Sequence, residues 1–331
     1  MNVMSLAALE AGAPFTAETY ADPEPGPGQV LISVKAASVN VVDTKIRDGM
    51  RAIANDPPVV LGCDVAGVVT KLGPGVSRFA VGDAVYGCAG GVKGEAGSYA
   101  SAMLADADLL ARKPDSLTFQ EAAALPLVAI TAWDALYTRA RVQPGDRLLV
   151  HGGTGGVGHI GIQLAKAAGA QVHTTVSSSE KAEIAHALGA DKTINYREQS
   201  VADYVETHTG GQGYDIVLDT VGGDNIAPSL EAVALNGQVA TIVSLGAQPD
   251  LSDLHMKNAS LHVIFMLLPL LTGQNRATHG RILERLATLV ETGAVRPLLD
   301  PNQFRLDQVA QAHDHLNSGK AVGKVVLEVQ P

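Results

Sequence analysis

Gly153, Gly155 and Gly158 stand in the spacing G-x-G-x-x-G, whose chemistry is the binding of a paired phosphate by backbone N–H groups. Gly153 permits a tight turn. Gly155 lets the main chain approach a pyrophosphate with no Cβ in the way, and Gly158 lets a helix pack closely on the strand before it. The flanking residues supply the elements that must hold this turn. Pro144-Gly145-Asp146 makes an entering turn and Leu148-Leu149-Val150 an apolar strand; Ile160, Leu164 and Ala168 then recur at near-helical spacing, with Gly169 as the stop. Residues 147–169 therefore read as strand, anion-binding turn and helix N-terminus. With a second strand expected at 171–176, the motif has the context of a dinucleotide site. The alternative is a glycine-rich strand-to-helix turn that binds nothing.

An NAD site would place Asp or Glu at the end of the second strand, about 20 residues beyond the glycines. Val176 stands there instead, followed by Ser177-Ser178-Ser179-Glu180-Lys181, and Tyr196 next to Arg197 ends the third strand. Hydroxyls and cations in place of a carboxylate favour a 2′-phosphate, so NADP is expected over NAD. A local role is also open: Ser177 and Glu180 as a capping box, with Lys181 a solvated helix residue.

The composition excludes several function classes. The 24 basic residues are outnumbered by 34 acidic ones, for a net charge of -10 with no dense Lys/Arg cluster, which argues against a nucleic-acid partner. Cys63 and Cys88 cannot make a disulfide framework, and the opening MNVMSLAALEAG lacks a basic n-region, so a cytoplasmic protein is expected. The most apolar run, residues 261–271, contains Pro269 and falls short of the about 20 residues that cross a bilayer. It is expected to be a buried strand and its exit, with no membrane partner.

Residues 1–111 alternate short apolar runs with Gly-Pro, Pro-Gly and Gly-Asp turns, which predicts a mostly-β module. Residues 121–140 predict two short helices broken near Pro126. Strands are then expected at 147–150, 172–176, 193–195, 216–219, 239–243 and 261–265, with helices between most of them: an α/β fold with a doubly wound parallel sheet. Helices at 279–292 and 310–317 and a strand at 322–329 follow. The expected division is 1–120 with 268–331, and 121–267 between them. Two chain crossings of this kind are expected to frame a cleft, the usual place for a substrate beside a cofactor.

The chain resembles the medium-chain dehydrogenase/reductases, and within them the zinc-independent quinone oxidoreductases related to zeta-crystallin. The resemblance is carried by Asn40-Val41-Val42-Asp43 with Arg47 and Gly49, by LGCDVAGVVTKLGPGV at 61–76, by FAVGDAVYG at 79–87 and by ITAWDAL at 130–136. It continues through HGGTGGVG at 151–158, LGADKTINY at 188–196, DIVLDTVGG at 215–223 and VGKVVLEV at 322–329. It implies a GroES-like catalytic domain built from both chain ends, a Rossmann domain between them, and a homodimer or homotetramer. By position, Gly155, Gly156, Val157 and Gly158 would face the pyrophosphate beside the Gly153 turn, and Ser177, Lys181 and Tyr196 the 2′-phosphate. Thr131, Val243 and Ser244 would line the nicotinamide end, with Asn40 near the ring and substrate and Lys324 near the cofactor.

Zinc-dependent relatives use Cys, His and Cys as catalytic ligands, and the resemblance puts Asn40, Cys63 and Leu127 at those places. Cys88 alone lies where the structural-zinc cysteines cluster, so no metal is expected. Lys45 and Arg51 replace tyrosines found near the substrate in relatives, which disfavours an enoyl-thioester reductase, and Gly319 stands where some relatives carry a phosphate-binding arginine. The implied reaction is hydride transfer from NADPH to a quinone or to the β-carbon of an α,β-unsaturated carbonyl. Asn40 or Lys45 would stabilise the developing enolate, and solvent would protonate it. A zinc-free alcohol or ketone oxidoreductase and a non-catalytic NADPH-binding protein are the alternatives.

Overall fold

The long strand β3 (Gln29–Val39) organises the first half of the molecule because Val30, Ile32 and Val34 alternate inward while later alanines let neighbours approach closely. The computed structural model describes residues 1–329, so the last two residues of the expected 268–331 segment lie outside it. The described chain divides into two units, one made of residues 1–130 and 267 onward, the other of Thr131–Met266. In the first, β3 is central to a sheet ordered β15 (Phe304–Arg305), β16 (Val325–Glu328), β3, β5 (Asp64–Leu72), β6 (Ala84–Cys88) and β8 (Leu110–Arg112), with β7 (Ala102–Asp106) also paired to β3. A small antiparallel sheet orders β2 (Phe15–Thr19), β1 (Asn2–Leu6) and β4 (Val59–Val60).

Register builds the candidate site. On one side of β3, Val39 lies opposite Val325 of β16; on the other, Ser38 lies opposite Asp64 of β5. Asn40, Lys324 and Asp64 are therefore delivered to the same end of three adjacent strands. Helix α1 (Val41–Arg47) starts immediately after Asn40.

The second unit holds a six-stranded parallel sheet ordered β11 (Lys192–Asn195), β10 (Gln171–Val176), β9 (Arg147–His151), β12 (Tyr214–Asp219), β13 (Val233–Thr241) and β14 (Ser260–Val263). The chain winds outward from β9 to β11 and then restarts at β12 on the other side of β9. That reversal puts the topological switch point beside the glycine turn that follows β9, where doubly wound sheets bind ligands. Leu148, Leu149 and Val150 are fully buried, as the central strand of a sheet covered on both faces must be.

Two expectations need correction. The entry to the second unit lies ten residues later than 121, because α2 (Phe119–Ala123) packs on β3 and β5 of the first unit, and the division falls within α3 (Pro126–Trp133). The segment expected as a buried strand and its exit is an edge strand, β14, followed by a short helix at Leu268–Thr272. With β13 its one strand partner among the described residues, β14 leaves Val263 exposed. Among the described residues no helix is long and apolar enough to cross a membrane.

Candidate functional site

The glycine turn is built as its spacing implies. Helix α4 (Gly156–Ala167) starts after Gly155, which caps it with no side chain, so the backbone N–H groups of Gly156, Val157 and Gly158 begin the helix without intrahelical partners. A Cβ on Gly153 would sit 2.1 Å from Thr174 Oγ1, and one on Gly158 would sit 2.1 Å from the carbonyl oxygen of Gly152. Neither position tolerates a side chain. At Gly155 the nearest atom would be 3.2 Å away, so the protein itself leaves room there. The residue in the left-handed region is Gly152, at φ +75°, one place before the motif. This turn fits a pyrophosphate: small residues, unpaired amides and a helix dipole converge on one spot.

At the ends of β10 and β11, Tyr196 N–H donates to the carbonyl of Val176 at 3.3 Å, which draws Tyr196 to the strand end that Ser177 follows. Helix α5 (Ser179–Ala187) is capped by Ser178, whose Oγ accepts from Lys181 N–H at 3.3 Å. The capping box open to Ser177 and Glu180 is not formed; Ser178 alone caps the helix. Ser177 is half-buried and outside the cap. Tyr196 is exposed, with the Arg197 guanidinium 6.0 Å from its ring centre. Lys181 is half-buried in the first turn of α5.

The ends of β12 and β13 complete this rim. Asp219, fully buried, accepts from Val221 N–H (3.1 Å), Gly222 N–H (2.9 Å), Asn225 Nδ2 (2.8 Å) and Thr241 Oγ1 (3.2 Å). It fixes the loop after β12 so that Gly223 N–H reaches the Val243 carbonyl at 3.2 Å. A Cβ on Gly222 would meet that carbonyl oxygen at 2.0 Å, so Val243 and Ser244 are held against a glycine, half-buried. Thr131 is buried inside α3 and does not cap it. Asp219 was missed as a site residue; its signal was a lone carboxylate closing an apolar strand, which demands partners.

In the first unit a second set of polar side chains is buried. Asp64 accepts from Ser38 Oγ at 2.7 Å and Asn40 Nδ2 at 2.9 Å through one oxygen, and from Leu127 N–H at 2.8 Å through the other. The Lys324 ammonium donates to Asn40 Oδ1 and to the Val39 carbonyl (3.3 Å), and lies 3.5 Å from Asp64 Oδ2. Its three donors are used inside the fold, and Lys324 is 3% exposed. Lys324, expected near the cofactor, is turned toward Asn40 by the register of β16 on β3.

Asp43 accepts from Asn40 N–H at 2.8 Å and from the Cys63 thiol at 3.4 Å. Burial pushes its carboxyl up to about 6, with the neighbouring Asp64 acting in the same direction. Lys45 is not part of this group. It lies five residues beyond Asn40 on α1, about 140° around the helix, and is half-exposed.

The three positions that would hold a catalytic zinc do not suit one. The Asn40 amide is committed at both ends, and Leu127 contributes a backbone N–H and no side-chain donor. The Cys63 thiol is held well above its ordinary range by its hydrogen bond with Cys88 and by burial, far from the thiolate that binds metal. Among the described residues no group of three His, Cys, Asp or Glu could hold a metal ion.

Residues 26–115 match the alcohol dehydrogenase GroES-like domain, and residues 188–327 match a domain described as zinc-binding dehydrogenase. The chain is 34% identical to a 2-haloacrylate reductase of Burkholderia sp., over 92% of this chain and 91% of that protein. An alcohol dehydrogenase superfamily protein of Novosphingobium aromaticivorans is 39% identical with a TM-score of 0.95 over all of both chains. Escherichia coli quinone oxidoreductase in complex with NADPH is 26% identical with a TM-score of 0.89, over 99% of this chain and 100% of that one.

Proposed function

The chain belongs to the quinone oxidoreductase family of the medium-chain dehydrogenase/reductases, and on that premise we propose that it reduces a quinone or an α,β-unsaturated carbonyl without zinc. NADPH, when bound, supplies the hydride. The observation that carries the zinc-free reading is the donor set at Asn40, Cys63 and Leu127, an engaged amide, a protonated thiol and an alkyl chain. With no Lewis acid, carbonyl polarisation falls to hydrogen-bond donors, which suffices for a conjugated acceptor and serves a saturated ketone poorly.

Each residue then has a task. The amides of Gly156, Val157 and Gly158 bind the pyrophosphate where Gly153 and Gly155 open the turn. Ser177, Lys181 and Tyr196, with Arg197, take the 2′-phosphate, and the loop of Val243 and Ser244 with Thr131 lines the nicotinamide end. Asn40 donates Nδ2–H to the oxygen that gains charge, and solvent protonates the resulting enolate or hydroquinone anion. Lys45 is a half-exposed cation outside the Asn40 cluster and supplies only long-range positive potential. The protein acts as a homodimer joined at the free edge of β14.

The test is NADPH oxidation against paired quinones, enones and saturated ketones. Turnover confined to the conjugated acceptors is expected. Reduction of a saturated ketone as fast as its enone would overturn the zinc-free mechanism, and tight NADPH binding with no oxidation anywhere would make this a binding protein.

A further inference from the structure

We infer that Lys324 and Asp64 are positioning residues, which together lock the Asn40 carboxamide in one orientation and leave one Nδ2–H for the substrate oxygen. The inference rests on the donor role proposed for Asn40 and adds the device that enforces it.

A carboxamide can turn over and exchange its O and NH2 at almost no steric expense, so a free asparagine presents donor and acceptor interchangeably. An ammonium only donates and a carboxylate only accepts. At Asn40 the Lys324 ammonium faces Oδ1 and the Asp64 carboxylate faces Nδ2 at 2.9 Å. Turning the amide over would set N–H against the cation and C=O against the anion, reversing both contacts. One of the two Nδ2 hydrogens is used on Asp64; the other is the group's remaining donor.

The surroundings fix the two clamps as firmly as the amide. Asp64 is held by Ser38 and by the Leu127 N–H, and Lys324 by the Val39 carbonyl. Asn40's backbone is held as well, its N–H on Asp43. A buried ion pair contributes little net stability compared with apolar residues of the same volume, so what this one supplies is geometry. Lys324 and Asp64 act through Asn40 and need not touch the substrate.

The experiment is a cycle of variants on the intact protein, using an enone or quinone that the wild type reduces. Lys324→Met with Asp64→Asn removes both constraints while keeping volume and net charge. The double variant is expected to lose at least about tenfold in kcat, with NADPH affinity from fluorescence titration held within about twofold. Added to Asn40→Ala, the same pair of changes is expected to cause no further loss, because its whole effect passes through the missing amide. A double variant with wild-type kcat, or losses that add to those of Asn40→Ala, overturns the inference; the second result is what a merely structural ion pair would give.

Should the double variant fail to fold, Asn40→Asp with Asp64→Asn keeps the charge count and lets residue 40 accept from both neighbours, but it has no donor for the substrate. It is expected to bind NADPH and lose turnover, and wild-type turnover would overturn the inference. If the wild type itself reduces no acceptor, the proposed reaction has failed. The clamp is then read from the Asn40 side-chain amide by nuclear magnetic resonance: slow exchange of the Nδ2 proton bonded to Asp64, lost in the Lys324→Met, Asp64→Asn variant, supports it, and exchange as fast in the wild type as in that variant overturns it.

Discussion

Ser177 and Ser178 are neighbours of identical chemistry with separate tasks. Ser178 satisfies a backbone donor at the start of α5, which leaves Ser177 outside the cap. Ser178→Ala is expected to lower stability by about 1 kcal/mol while leaving the ratio of NADPH to NADH affinity unchanged. Ser177→Ala is expected to weaken NADPH severalfold and NADH not at all, read from dissociation constants for both; equal loss of the two would remove Ser177 from the 2′-phosphate. Three consecutive serines made this division illegible in the sequence, since a shift of one residue exchanges the roles. The glycines were legible because their constraint is local: Gly153 and Gly158 each sit against atoms within a few residues or on the adjacent strand. Asp64 and Lys324 were not, because their partner Asn40 lies 24 and 284 residues away and only strand register brings them together.

Among the elements, β14 carries the clearest consequence. Among the described residues it pairs with β13 alone, at the edge of the sheet, and Val263, Phe265 and Met256 are exposed in the same part of the chain. An uncovered apolar edge invites a second strand, and in a homodimer the natural partner is the same edge of another copy. A solution mass near twice the 34.2 kDa of one chain is expected from light scattering. Val263→Lys is expected to give monomers that still bind NADPH; a monomeric wild type would refute this edge as the interface. The helices and strands of the parallel sheet were legible because apolar runs and turn residues alternate there. The edge character of β14 was not, since an apolar run has the same composition whether one neighbour covers it or two.

For the molecule as a whole, buried histidines set the response to acid. Burial holds His151 near 4 and, with Arg47 adding to it, His313 near 3, against an ordinary value near 6.5. A depressed folded-state value stabilises the protein above pH 6.5, and that stability is lost as pH falls toward the folded values. Asp43, raised to about 6, acts in the opposite sense: its contribution is present at low pH and lost as pH rises through 6. These two histidines and His173, which burial also holds near 4, outweigh one carboxyl, so unfolding temperature is expected to drop between pH 6.5 and 4.5. His313→Gln is expected to flatten that slope by about 2 kcal/mol, measured by urea unfolding at both pH values. An unchanged slope would mean that His313 does not titrate on unfolding.

The pairing of Val39 with Val325 has a consequence for how the protein is made. Asn40 leaves the ribosome 284 residues before the lysine that faces it. A nascent chain that has completed the parallel sheet of the second unit still lacks a finished Asn40 cluster. Premature termination between residues 267 and 323 would yield chains with a complete glycine turn and no oriented amide, competent to occupy cofactor and unable to use it.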